Sequence, residues 1–303
     1  MTNGTEKSVW TQLSGAFANT IAGLQNSIVA MDGGGRSTTS GVVWQPGVIV
    51  TTHHGLRLRE NIQIIFSGES LTARLIGSDA TTDLAVLGIE SNKLKPAPAN
   101  DLVTRAGEVV LSVGRSRLGD ISASCGIIAR TGSAWRTWRG GEIDRLIRPD
   151  IQLYVGQSGS ALVNEQRQVL GINSPALARQ AVITIPAQTI RRVVDAILKL
   201  GHVPRPFLGL AMQPIPIPDP ARELFPGGAE ETLLVTHVEP KAPAAQAGVM
   251  VGDVIVSFIG KPVHGVHEIL HQIRALHIGD TISLAVLRGG AKLDLTVSVA
   301  DRG

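Results

Sequence analysis

Ser158, His54 and Asp83 together supply a nucleophile, a base and a carboxylate. A serine hydroxyl is a weak nucleophile at neutral pH, so it needs a base within hydrogen-bond reach and a third group to orient that base. Histidine suits the base role because its unperturbed pKa, about 6.5, lies near the working pH. A buried carboxylate then holds the tautomer and stabilises the imidazolium. The tetrahedral oxyanion needs two donors, and the backbone N–H groups of Gly156 and Ser158 are the candidates. Ser158 lies in Gly156-Gln157-Ser158-Gly159-Ser160-Ala161-Leu162, a small-residue-rich turn that can expose a hydroxyl. Glycine at 156 permits φ > 0, which a side chain would resist. The chemistry implied is acyl transfer through a serine nucleophile.

Each candidate sits at the end of a run that must be rigid to position it. His54 closes Gly47-Val48-Ile49-Val50-Thr51-Thr52-His53-His54, and Asp83 opens Asp83-Leu84-Ala85-Val86-Leu87. From about Ser27 to Pro186 the pattern is short β runs separated by Gly, Asp, Asn and Ser. They include Val42–Trp44, Ile62–Phe66, Glu108–Val113, Val169–Ile172 and Ala181–Ile185. Many short strands with frequent turns predict a barrel or sandwich. Trp10, Leu13, Phe17, Ile21 and Leu24 predict an amphipathic helix within residues 8–27. Ile190, Val193, Val194, Ile197 and Leu198 predict a second, stopped by Gly201. Beyond Pro204 and Pro206 the pattern becomes mixed. Strands at Leu233–Val238 and Asp253–Phe258 flank a helical turn at Pro243–Gly248. A helix near Val266–Leu276 and a hairpin turning at Gly289-Gly290 follow. The domains read as an N-terminal extension over 1–26, a β domain over 27–201 and a small α+β domain over 202–303.

Composition agrees with packed domains. Hydrophobic residues make up 43% and charged residues 17%, which argues against disorder. With 5 Phe, 4 Trp and 1 Tyr, the core must be mostly Val, Ile, Leu and Ala. The 34 glycines and 16 prolines favour a turn-rich β protein. Net charge is only +3, and the arginine excess from Arg115 to Arg148 reads as a solvated loop surface, not a nucleic-acid groove. Cys125 is the single cysteine, so no intrachain disulfide forms; its apolar surroundings suggest a small core residue. His264, His267, His271 and His277 read as surface residues, with no acidic or cysteine partner for a metal. No cofactor is expected. The sequence begins without a signal-peptide pattern and shows no apolar run long enough for a bilayer, so cytoplasmic is the default and periplasmic the alternative if a leader precedes it.

The residues resemble the HtrA/DegP-type serine proteases. Val-Ile-Val-Thr-Thr-His-His is similar to that family's histidine strand, and Thr82-Asp83-Leu84-Ala85-Val86-Leu87 to its aspartate strand. Gly156-Gln157-Ser158-Gly159-Ser160-Ala161-Leu162 resembles its nucleophile loop, usually Gly-Asn-Ser-Gly-Gly-x-Leu. Asp83 follows His54 by 29 residues and Ser158 follows Asp83 by 75, close to the family's intervals. The resemblance implies a mainly β fold: a two-barrel, chymotrypsin/trypsin-like protease domain followed by a small α+β PDZ domain. Its register selects His54 over His53 and, with the oxyanion geometry, Ser158 over Ser160. Asp79 is the rival carboxylate and reads as a turn residue. Leu153 would line the primary specificity pocket, which lacks an acidic marker and so suits a small or medium apolar residue.

Two segments depart from the family pattern. Gly114-Arg115-Ser116-Arg117-Leu118-Gly119 stands where Gly-Asn-Pro-Phe-Gly is usual, and Tyr154-Val155 where a pair such as Asn-Pro precedes the nucleophile loop. Both bear on the resting state of the oxyanion hole. In the second domain, Phe207-Leu208-Gly209-Leu210 resembles the carboxylate-binding loop of PDZ domains, which captures the C-terminus of a polypeptide as an added strand. Glu239–Gly248 followed by Gly252-Asp253-Val254-Ile255 is similar to the most recognisable stretch of bacterial PDZ domains. The resemblance implies an ATP-independent serine endopeptidase acting on unfolded or misfolded proteins, usually assembled as a homotrimer. The alternative is a catalytically silent PDZ scaffold or chaperone.

Overall fold

Val48–Thr52 is buried at every position, because both faces of this strand are covered. Ile49 joins one apolar cluster with Val29, Met31, Val43, Ile64 and Leu87. Val48 and Val50 join another with Val42, Leu84 and Val86. Two-sided burial is why these runs lack polar alternation. Asn61–Phe66, by contrast, alternates exposed and buried residues over its first four positions, as a strand with one wet face should.

The computed structural model describes residues 8–32, 38–56, 60–217, 219–225, 230–263 and 265–302. His264 and Met1–Lys7 therefore lie outside the described residues. The protein divides into two units, Met1–Val203 and Pro204–Gly303. No helix among the described residues is long and apolar enough to cross a membrane.

The first unit begins with α1 (Val9–Gly23), capped by the Ser8 hydroxyl accepting from the Thr11 N–H. Phe17 and Ile21 of α1 pack on the core, while Val9 and Trp10 are 81% and 78% exposed. Strands β1 (Ile28–Asp32), β2 (Thr38–Gln45), β3 (Val48–Thr52), β4 (Asn61–Phe66), β5 (Glu69–Asp79) and β6 (Leu84–Gly88) close a barrel in the order β1-β2-β3-β6-β5-β4. After β7 (Val109–Arg115) and β8 (Ile121–Gly132) comes a short pair, β9 (Trp135–Arg136) and β10 (Glu142–Ile143). With β11 (Leu146–Asp150), β12 (Ala161–Val163), β13 (Val169–Ser174) and β14 (Ile183–Pro186), the second barrel closes as β11-β14-β13-β12-β7-β8. Helix α2 (Ala187–Leu200) lays Ile190, Val193, Val194 and Ile197 on the shared core and ends at Gly201, whose φ of 81° makes the left-handed cap.

Two expectations from the sequence fail in this unit. Cys125 is exposed, not a core residue. In its strand β8 only Ile128 is buried, and the rest of the apolar run Ile121–Ala129 is half-buried or exposed. Arg115 is 3% exposed and so is no part of a solvated surface.

The second unit is a sheet in the order β16 (Leu210–Pro216), β17 (Glu231–Val238), β18 (Val254–Phe258), β20 (Thr281–Arg288) and β21 (Ala291–Ser298). The short β19 (Lys261–Pro262) pairs with β18, and β15 (Pro206–Phe207) pairs with β22 (Ala300–Asp301). Helix α3 (Pro243–Gln246), a 3₁₀ turn at Asp219–Leu224 and helix α4 (Val266–Arg274) complete it. Ile269 and Ile273 of α4 pack with Leu233, Ile255, Phe258 and Leu284. β16 is one edge strand of this sheet and β21 the other.

Candidate active site

Sheet register brings His54 and Asp83 together. β3 and β6 pair antiparallel with Thr52 opposite Leu84, so the residues just past one strand and just before the other are neighbours. Asp83 Oδ2 lies 2.7 Å from His54 Nδ1, and Oδ1 accepts from the His54 backbone N–H at 2.9 Å. Asp83 has φ 61°, a left-handed conformation that Asp tolerates better than most residues. Its side chain is 5% exposed and also accepts a 2.6 Å hydrogen bond from the Ser174 hydroxyl. Ionised, it accepts only, so the His54 proton sits on Nδ1 and Nε2 is left as the acceptor. Ser158 Oγ lies 3.0 Å from that Nε2.

The second barrel supplies Ser158 in the loop ahead of β12, and the first barrel holds that loop. The Ser158 carbonyl accepts from Ser40 N and from Thr39 Oγ1, each at 2.7 Å. Gly159 has φ 77°, and a Cβ there would stand 2.2 Å from the Ser40 carbonyl oxygen. No side chain fits where the two barrels' backbones approach so closely.

The turn before Ser158 is held at three points. Gln157 N donates to the Tyr154 carbonyl at 3.0 Å, and Tyr154 N donates back to Gln157 Oε1 at 3.0 Å. Gln157 Nε2 donates to Ser122 Oγ on β8 at 2.9 Å. Gly156 has φ 92° and Val155 has no positive φ, which with the 154–157 bond defines a type II turn. Relative to a type I turn, the peptide plane between Val155 and Gly156 is turned over, and this orients the Gly156 N–H. The Ser40 hydroxyl fixes the other side of Gly156 by donating to its carbonyl at 2.7 Å. The N–H groups of Gly156 and Ser158 have no partner among the described residues.

The rival residues are engaged elsewhere. Ser160 Oγ is buried in a network with Ser112 Oγ at 2.9 Å and Asn173 Nδ2 at 3.1 Å. Asp79 accepts from Thr81 and Thr82 and is 1% exposed. His53 points the other way, with Nδ1 3.1 Å from Ser78 Oγ, and is half-buried. Burial pushes its pKa below the ordinary value, against the raising pull of Asp83 and Asp79.

Arg115 anchors the departing segment. Its guanidinium donates to the Ile28 carbonyl at 2.7 Å, to Gln25 at 2.5 Å and to Gly119, and lies 5.2 Å from the Phe66 ring centre. Its backbone N–H donates to Ser40 Oγ at 3.0 Å, the same hydroxyl that holds Gly156. Ser174, Ser40 and Gln157 carry no signal in the sequence as contributors to this geometry.

Comparison with known proteins then decides the family. Residues 39–172 match the trypsin-like peptidase domain, and residues 206–299 match the PDZ domain. The sequence is 33% identical over 285 residues to the serine protease Do-like HtrA of Lactobacillus helveticus, covering 87% of this protein and 68% of that one. It is 30% identical to the serine endoprotease DegS of Escherichia coli K12, covering 88% and 77%. The protein belongs to the HtrA/DegS family of serine endopeptidases. Among solved structures, the serine endoprotease from Yersinia pestis superposes with a TM-score of 0.67 at 27% identity, over 95% of this protein and 98% of that one. The HtrA-type protease AlgW with a decapeptide gives 0.66 at 25%, over 95% and 99%.

Within this HtrA-type protease, Leu153 lines a cavity of about 570 Å³ one residue before the turn. Pro149, Ile151 and Val182 contribute apolar walls, and Arg148, Asp150 and Arg179 are exposed at it. In the PDZ unit, Gly209 has φ 80°, and a Cβ there would stand 2.2 Å from Ala242 Cβ. Leu208 is buried in that unit's core, and Phe207 and Leu210 are half-buried.

Proposed function

We propose that His54, Asp83 and Ser158 are the catalytic triad of this serine endopeptidase. The 3.0 Å approach of Ser158 Oγ to His54 Nε2, with Nδ1 committed to Asp83, carries the reading. In acylation, Ser158 Oγ attacks the scissile carbonyl as its proton passes to His54 Nε2. Collapse of the tetrahedral intermediate breaks the C–N bond, and the leaving amine takes that proton. Water then repeats the sequence, giving a proton to His54 and releasing the acid while Ser158 Oγ recovers its hydrogen. Asp83 stays ionised and stabilises the imidazolium. The N–H groups of Gly156 and Ser158 are the proposed oxyanion donors, supported by the type II turn and by their having no other partner among the described residues. Each such donor is worth about 3–4 kcal/mol in the transition state.

The cavity beside Leu153 is proposed to take the residue before the cut. Pro149, Ile151 and Val182 support a small or medium apolar side chain, although Asp150, Arg148 and Arg179 also line it, so an acidic group is present where the sequence suggested none. The Phe207-Leu208-Gly209-Leu210 loop is proposed to receive protein C-termini, with the peptide adding to the edge strand β16. The decapeptide held by AlgW supports peptide recognition in this family. Unfolded or misfolded polypeptides are the proposed substrates, and a homotrimer the proposed assembly, with exposed Trp10 on α1 as a candidate contact. Casein cleavage by the wild-type protein, lost in Ser158→Ala, is the expected result; cleavage retained in that variant would overturn the assignment.

A further inference from the structure

The nucleophile has a second hydroxyl neighbour that the triad does not use. Thr52 Oγ1 lies 2.9 Å from Ser158 Oγ, on a residue that is fully buried at the end of β3. Counting protons leaves one arrangement. Thr39 Oγ1 donates its only hydrogen to the Ser158 carbonyl at 2.7 Å. It can therefore only accept from Thr52, and at 3.4 Å that contact is longer than Thr52's to Ser158. His54 carries its proton on Nδ1 toward Asp83, so Ser158 must donate to Nε2 at 3.0 Å. Ser158 Oγ then accepts, and the Thr52 hydroxyl is the donor.

We infer that Thr52 is a further catalytic residue, its O–H donating to the reacting oxygen of Ser158. The inference rests on Ser158 being the nucleophile. The bond acts at two moments. Before attack it fixes the Ser158 rotamer and leaves the serine's own proton only one acceptor, His54 Nε2. As that proton departs, negative charge grows on Oγ and the Thr52 hydrogen bond strengthens. Once the C–Oγ bond has formed, the ester oxygen is a poor acceptor and the bond weakens. In deacylation the C–Oγ bond breaks, charge returns to Oγ, and Thr52 again donates. Thr52 keeps its own proton throughout. Because the bond is strongest where Oγ is charged, it lowers the barrier more than it stabilises bound substrate.

The test uses the intact two-unit protein and a fluorophosphonate probe, which reports the attack of Ser158 without a peptide subsite. Thr52→Val removes the hydroxyl and keeps the branched shape; Thr52→Ser keeps the hydroxyl. Labelling of T52V is expected to slow about tenfold, with T52S within about twofold of wild type. On a peptide substrate the loss should fall on kcat, with KM unchanged. Wild-type labelling rates in T52V, or equal slowing in T52S and T52V, would overturn the inference. If T52V lacks the wild-type circular dichroism spectrum, T52A takes its place with the same two outcomes. Labelling of Ser158→Ala would instead overturn the nucleophile assignment itself, so the two failures are told apart.

Discussion

Asp83 holds His54 at two points, the ring Nδ1 at 2.7 Å and the backbone N–H at 2.9 Å. One carboxylate therefore fixes both where the histidine stands and which way its ring faces. Asp83→Asn keeps the shape but gives Nδ1 an amide partner that can impose the wrong tautomer. We expect kcat to fall by about 10⁴ with little change in KM, checked by steady-state hydrolysis of a peptide substrate.

Gln157 closes the turn that orients the Gly156 N–H, through Tyr154 on one side and Ser122 on the other. Gln157→Leu removes both side-chain bonds at similar size. The turn is then free to flip its central peptide, and kcat is expected to fall by up to about 10²-fold, the order seen for loss of one oxyanion donor. Single-turnover acylation measured beside fluorophosphonate labelling checks this. A wild-type acylation rate would contradict it.

The proposed triad is legible in the sequence because three motifs at or near strand ends stand in one order, and strand ends are where a sheet can fix a side chain. The hydroxyls that serve it are not. Thr52, Ser40 and Ser174 look like any Ser or Thr until sheet register decides which face they occupy. β12, Ala161–Val163, is too short to show a period, and β5 mixes half-buried positions without alternation. Arg115 reads as a surface residue because arginine is seldom buried without a partner; its partners are backbone carbonyls, which carry no sequence signal. In the second unit the hairpin at Gly289-Gly290 and helix α4 stand where their turn glycines and apolar spacing put them.

Arg115 ties the α1–β1 junction, β1 and the loop at Gly119 together through its guanidinium and steadies Ser40 through its own backbone N–H. Arg115→Met takes the donor from all three carbonyls, of which Ile28 and Gly119 belong to buried residues, and each buried orphaned group costs about 1–3 kcal/mol. Denaturant unfolding should show a loss of at least about 2 kcal/mol. Arg115→Lys should recover part of it, since one ammonium cannot span three carbonyls.

Asp253 and Arg288 give the PDZ unit an acid-sensitive tie. Asp253 is 1% exposed and accepts from Arg288 Nε at 2.7 Å, Arg288 Nη2 at 2.8 Å and Met250 N at 2.9 Å. Burial raises its pKa, but the hydrogen bonds from Arg288 and Met250 outweigh burial and hold it below the ordinary carboxylate value. A carboxylate depressed in the folded state adds stability that is full above its unfolded pKa, about 3.9, and is lost as pH falls through the folded value. Differential scanning calorimetry of the two-unit protein should show Asp253→Asn lowering the PDZ transition at pH 7. The gap to wild type should narrow below about pH 4. A constant gap across that range would contradict the assignment.

The most direct measurement is mass spectrometry of the protein after diisopropyl fluorophosphate, with the modified peptide sequenced. One adduct is expected, on Ser158, with its formation abolished in His54→Ala and casein cleavage lost in step. An adduct on Ser160, or full casein cleavage by protein that carries the Ser158 adduct, would contradict the account.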